Sequence, residues 1–294
     1  ASFSDDQHGG EAWADEYVLG HGDPTGHNEW KKNAISITGR IMAVGTKEAP
    51  ITFTSEGDST STAQWDSIVM TDGKLKHCIV ENTQIGVNIQ GPDVEIGHCT
   101  IRNNLWVSVD IHATDVWVHH SHLSGGGHQT MGIFKSNALV EHNVLTSGHQ
   151  GIFVNGGDGI VIRNNVFLNN GSGIDMGPGS ERFINNTLVQ TIGPPEGWFF
   201  QESLIYSSGE AGSFGILIDD EINNDTVVNN IVYGPYQQGL SLAFPPSDEA
   251  SISHNLIWGS RGYNILWPNG YQSPNSNRIA NPLFVDPENG DFHL

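Results

Sequence analysis

Two triplets, Gly127-His128-Gln129 and Gly148-His149-Gln150, place a histidine at equivalent points 149 − 128 = 21 residues apart. An imidazole titrating near its ordinary pKa of ~6.5 can take a proton from a carbon acid or shuttle one at neutral pH. Lys135 follows the first triplet, and its ammonium can stabilise the enolate that develops when a uronate loses its C5 proton. With Asp175 one or two repeats further on, the expected catalytic set is Lys135, His128, His149 and Asp175. The sequence leaves a second reading open, in which His128 and His149 only continue a polar turn ladder.

Other residues fit binding better than bond-making. Asp110 and His112 share one face of a short strand pattern, as do Phe153 and Asn155, while Trp198 and Phe199 stand in a Gly-Pro-Pro-rich stretch and can stack on sugar rings or cap a core. These six are the expected substrate-binding residues. Asp110 and Asp175 are three repeats apart, ~14 Å at the inter-strand spacing, whereas paired glycosidase carboxyls stand ~5–9.5 Å apart. Asp219, Asp220 and Glu221, close to Asp225, offer hard oxygen ligands that suit Ca²⁺, although a solvated acidic turn has the same composition. His77, His98, His119, His120 and His142 show neither a helical H-x-x-x-H nor a Cys/His quartet, so they read as a ladder or surface turn.

Positioning such residues requires a scaffold, and the chain announces one by repetition. A motif of one apolar residue, two polar residues and a small or amide residue recurs, its last positions being Cys78, Cys99, Ser121, Asn143, Asn165, Asn186, Ser208, Asn230, Asn255 and Asn281. Successive spacings are 21, 22, 22, 22, 21, 22, 22, 25 and 26. About ten residues after most of these positions comes a segment alternating at period two, such as Val109-Asp110-Ile111 and Ile174-Asp175-Met176, which is the signature of a strand with one buried face. The outward positions of that strand set read Asn88, Asp110, Gly132, Phe153, Asp175, Leu217, Ser241 and Asn264. A unit this short cannot bury its own apolar face, so neighbouring units must stack around a shared core. Stacking also places like residues one above another, and Asn143, Asn165 and Asn186 then form an amide ladder. The expected architecture is an all-β parallel β-helix of about ten coils of ~22 residues, spanning residues 34–294 after a His- and Gly-rich lead-in at residues 1–33.

Composition agrees with a solenoid and excludes other classes. The 36 Gly and 26 Asn disfavour long helices. With 12 Lys+Arg against 33 Asp+Glu, the formal charge of −21 removes nucleic acid and anionic membrane surfaces as partners. No stretch approaches 18 consecutive apolar residues, so no membrane span is expected, and the chain reads as a mature secreted or cell-surface protein. Cys78 and Cys99 share one column in neighbouring coils, within disulfide reach or as a reduced inward pair. Asn170, Asn185 and Asn224 begin glycosylation sequons, but Asn185 belongs to a repeat turn and no glycan is expected.

The opening coils, with Gly45-Thr46 before Pro50-Ile51-Thr52-Phe53-Thr54, and the closing segment from Asn281-Pro282-Leu283-Phe284 to Leu294 resemble the right-handed parallel β-helix repeat superfamily. That resemblance implies right-handed coiling and admits polysaccharide lyases, glycoside hydrolases, uronan epimerases and surface proteins. Phe134-Lys135-Ser136-Asn137 is similar to the strand carrying a Lys base in the chondroitinase-B and alginate-lyase family, whose Arg position one coil later is here Gly156. Asp115-Val116-Trp117-Val118-His119-His120 is similar to a pectate-lyase segment, with His119 where that family has Asp. The functional expectation is a secreted protein that engages an extracellular polysaccharide, with lyase or epimerase chemistry on a uronate polymer and Ca²⁺ as bridging ion. The alternative is a non-catalytic surface protein that self-associates end to end.

Overall fold

The structure is a computed structural model and describes residues 34–37, 39–56, 64–191, 213–219, 224–268 and 276–294. Each coil contributes short parallel strands to three ladders that run the length of the solenoid. The first ladder includes Val94–Gly97, Val116–His119, Leu139–Glu141, Asp158–Arg163 and Ser180–Ile184, and has nine strands among the described residues. The second includes Cys78–Glu81, Thr100–Arg102, Val166–Leu168 and Thr187–Val189. The third includes Ile85–Ile89, Val107–Ile111, Ser172–Met176, Phe214–Ile218 and Gln238–Leu242. Two long strands, His122–Phe134 and Val144–Asn155, bend from the second ladder into the third.

A single left-handed residue turns the chain from the first ladder to the second. His77, His98, His120, His142, Asn164, Asn185, Asn229 and His254 hold this position with φ between 48° and 59°. Asn and His enter that region more easily than other side chains, so the local sequence selects the corner. His77, His98, His120 and His142 stack here with ring centroids 4.9, 5.0 and 5.0 Å apart.

The next residue points inward and carries the amide ladder. Asn143 donates its backbone N–H (2.9 Å) and Nδ2 (3.1 Å) to Oδ1 of Asn165, and Nδ2 also donates to the Val118 carbonyl at 2.9 Å. Asn165, Asn186, Asn230 and Asn255 repeat the pattern, ending on Asn277. Two column positions are thereby corrected. Asn186 bonds directly to Asn230 across one rung, leaving no place for Ser208 between them, and Asn277 rather than Asn281 follows Asn255. The extra length between Asn186 and Asn230 falls largely at residues 192–212, outside the described residues.

The core is the interior of the tube. Ile96, Val118, Val140, Ile162 and Phe183 on the first ladder face Ile101, Leu123, Leu145, Phe167 and Leu188 on the second, all buried. Each such side chain contributes about 1.5–3 kcal/mol by leaving water. Gly151 and Gly173 let these residues reach the third ladder, because a Cβ on Gly173 would stand 2.1 Å from the Gly215 carbonyl oxygen and 2.4 Å from Leu188. Cys78 and Cys99 lie in this interior as free thiols, which selects the reduced of the two readings. The hydrogen bond with the neighbouring Cys78 thiol, and then burial, raise the Cys99 pKa.

Candidate functional site on the third ladder

Register along the third ladder puts Asn88, Asp110, Gly132, Phe153, Asp175, Leu217 and Ser241 in one outward column, as the alternation predicts. Ser241 pairs with Leu266, so Asn264 stands outside that column. Gln90, His112, Phe134 and Asn155 form a second column two residues on. The first column is open only in part, since Asp175, Leu217 and Ser241 are buried.

Aromatic rings line the accessible stretch. The His112 ring stacks on Phe134 with centroids 4.7 Å apart and planes 4° from parallel, and Phe134 meets Phe153 at 5.8 Å. Asp110 Oδ2 lies 2.9 Å from Nε2 of His112. Burial works against the charged ring, but this hydrogen bond and the carboxylate's charge outweigh it and hold the His112 pKa above its ordinary value. Asp110 Oδ1 has no hydrogen-bond partner among the described residues. It leans over Gly132, where a Cβ would come within 2.7 Å of it.

Lys135 stands one rung and one residue beyond His112, ~6 Å between backbones at strand spacing. It is exposed, with φ 50°, and its stem passes over the next rung where Gly156 leaves room, 3.7 Å from the place a Cβ would take. Asn155 accepts the Lys135 backbone N–H at 3.1 Å. Asp110, His112, Lys135 and Asn155 therefore gather at one end of the third-ladder strands, beside the tilted Phe134–Phe153 ring pair.

The four residues expected to act together do not meet. His128 and His149 do sit on adjacent rungs, at a bulge where the register shifts between Gly126 and Gln129. They precede the strands that Lys135 follows, and the seven residues from His128 to Lys135 span ~23 Å. His128 Nδ1 is paired with Oε1 of Gln129. Asp175 is buried and engaged, ~14 Å from both His149 and Lys135 by rung and residue spacing. The repeat aligned these residues correctly but hid which end of the strand each occupies.

Asp219 is exposed after Phe214–Ile218, and its N–H donates to the Met176 carbonyl at 3.2 Å. Asp220, Glu221, Trp198 and Phe199 lie outside the described residues. One acidic pairing is not visible in the sequence, where Asp225 groups instead with Asp219, Asp220 and Glu221. Glu181 and Asp225 are both buried on adjacent rungs, Asp225 Oδ1 accepting the Glu181 N–H at 2.9 Å. Burial first, and then Asp225, push the Glu181 pKa up to about 9. An inward-pointing carboxyl breaks the apolar alternation, and that break was the available signal.

A family model described as "Right handed beta helix region" matches residues 66–193. With the three parallel ladders, it makes this chain a right-handed parallel β-helix. Among solved structures, an alginate lyase from Paenibacillus sp. str. FPU-7 is similar at 12% identity and a TM-score of 0.41, covering 84% of this chain and 89% of that one. No curated protein matches. Among the described residues no helix is long and apolar enough to cross a membrane.

Proposed function

We propose that this protein binds an extracellular polysaccharide along the open face of the third ladder and performs proton-abstraction chemistry on a uronate residue beside Lys135. The observation that carries this reading is the row of rings His112, Phe134 and Phe153, the first two stacked and the third tilted by 58°, flanked by Asp110, Lys135 and Asn155. Aromatic faces hold sugar rings, and rings repeated from rung to rung suit a polymer laid along the solenoid axis. In this arrangement Lys135 neutralises the uronate carboxylate, and His112 in its unprotonated form takes the C5 proton while Asp110 stabilises the resulting imidazolium. Breaking of the C4–O bond as the C4=C5 bond forms, with the imidazolium proton passed to the departing oxygen, gives a lyase. Return of a proton to the opposite face gives an epimerase.

The formal charge of −21 opposes an anionic polymer at long range. Binding of a uronate polymer is therefore expected to strengthen with added salt, or with Ca²⁺ bridging the two anions.

The test is a panel of neutral and uronate polymers, with and without Ca²⁺, followed by retention in affinity gels and absorbance near ~235 nm, where the unsaturated product of this elimination absorbs. Phe153→Ala is expected to weaken retention, and His112→Ala and Lys135→Ala to abolish product as well as weaken retention, since both residues also hold the polymer. Retention without product, with no change in product stereochemistry by NMR, would reduce the protein to a binding module. No retention on any polymer would remove the glycan reading entirely.

A further inference from the structure

We propose that His98, His119 and His120 form a binding site for a divalent transition-metal ion of the zinc type, on the corner between the first and second ladders and away from the third-ladder face. One ring nitrogen from each residue lies within 4.8 Å of the others. His119 Nδ1 is 3.0 Å from His120 Nδ1. Two imidazole nitrogens sharing a tetrahedral ion at ~2.0–2.1 Å would stand ~3.3 Å apart, so this pair is already near ligand spacing.

His119 is built into place. It stacks on Trp117 with centroids 3.9 Å apart, and it folds over Gly97, where a Cβ would come within 2.6 Å of its ring. Trp117 is itself fixed by donating Nε1–H to Glu141 at 3.1 Å. Nε2 of His119 faces Glu95 Oε1 at 3.4 Å, and Lys74 holds the other Glu95 oxygen at 2.6 Å. With the proton on Nε2 directed to Glu95, Nδ1 of His119 presents a lone pair toward His120. A carboxylate that orients one ring nitrogen so that the other can coordinate is the usual support of a histidine metal ligand.

With His119 in that tautomer and no ion bound, His120 donates Nδ1–H to it. On coordination its proton moves to Nε2, and no net charge is added to the protein. His98 packs edge-on against His119 at 5.5 Å and face-on against His120 at 5.0 Å. It is exposed, so a small ring rotation brings its nitrogen to the ion, and water takes the fourth position. Imidazole donors favour Zn²⁺, Ni²⁺ or Cu²⁺ over Ca²⁺ and Mg²⁺.

The experiment uses the full chain, purified without a tag and stripped with chelator, titrated with Zn²⁺ by calorimetry and with Co²⁺ by visible absorption. One equivalent is expected to bind, with Co²⁺ bands in the visible from a four-coordinate site. Both signals should be lost in His119→Ala and in His98→Asn, the latter an exposed change to the residue that holds the same left-handed corner at Asn164, Asn185 and Asn229. Glu95→Gln, at a positioning residue, should weaken affinity about 10–100-fold and shift the Co²⁺ spectrum. His8, His21 and His27 offer other nitrogen donors, so the difference between variants is decisive. Zn²⁺ uptake equal in the parent, His98→Asn and His119→Ala would overturn the site, as would no uptake at all.

Discussion

At the scale of single residues, two ionisable groups are held away from their solution behaviour, in ways that solution measurements can read. The charged form of His112 is stabilised by Asp110, so its contribution to folding is fully present below the unfolded histidine pKa and fades as pH rises through the folded value. Asp110→Asn is expected to move the His112 midpoint down, followed by the imidazole proton shifts in an NMR titration. An unmoved midpoint would mean that the carboxylate does not support the ring. Glu181 is raised as well, so it is most compatible with the fold below about pH 4.5, and its burden grows as pH climbs toward about 9. Glu181→Gln keeps the shape and removes the ionisation. Its melting temperature is expected to match the parent near pH 4.5 and to exceed it at pH 8, by an amount equivalent to about 1–3 kcal/mol. Equal melting at both pH values would place the Glu181 pKa near normal.

At the scale of elements, the amide ladder and the left-handed corner do different work. Asn165 accepts the backbone N–H and Nδ2 of Asn143 and donates to the Val140 carbonyl, all in the interior. Asn165→Ala leaves those buried partners unsatisfied and is expected to lower stability by about 2–4 kcal/mol in urea unfolding. A loss below ~0.5 kcal/mol would show that water replaces the amide. These elements were readable in sequence because solenoid stacking converts period into contact. Asn143, Asn165 and Asn186 announced the ladder by spacing alone, and Asp110, Gly132 and Phe153 announced the outward column by alternation. What period could not convey is position along a strand. His128 and Lys135 belong to the same repeat and so looked close, yet an extended strand separates them. The grouping of His98 with His119 and His120 was hidden for a related reason. It depends on Gly97 leaving space for a ring from the following rung, and an absent side chain gives no positive signal in a residue pattern.

At the scale of the whole molecule, regularity hid one irregular coil. Asn186 and Asn230 are ladder neighbours although 44 residues separate them. Counting two ordinary coils there was natural, since 44 is twice 22, but the bonded pair admits only one. Elsewhere, Asn169-Asn170-Gly171 suffices to connect Val166–Leu168 with Ser172–Met176. Replacing residues 190–213 with a copy of that three-residue link is therefore expected to preserve the solenoid, with far-UV circular dichroism unchanged and melting within a few degrees of the parent. Collapse of the cooperative transition would show that the insertion holds the coils together. The same replacement removes Trp198 and Phe199, so its effect on glycan retention separates their contribution from that of the third-ladder rings.

The amide ladder also has a direction. At every rung from Asn143 to Asn255, the backbone N–H and Nδ2 give their hydrogens to the Oδ1 of the later rung. The side-chain dipoles thus add head to tail, and a fault travels one way. Losing Oδ1 at Asn186 orphans the donors of Asn165, while Asn230 keeps its own acceptor in Asn255. Damage at one coil is felt by the coil made before it, so the tube is polar in its vulnerability as well as in its chain.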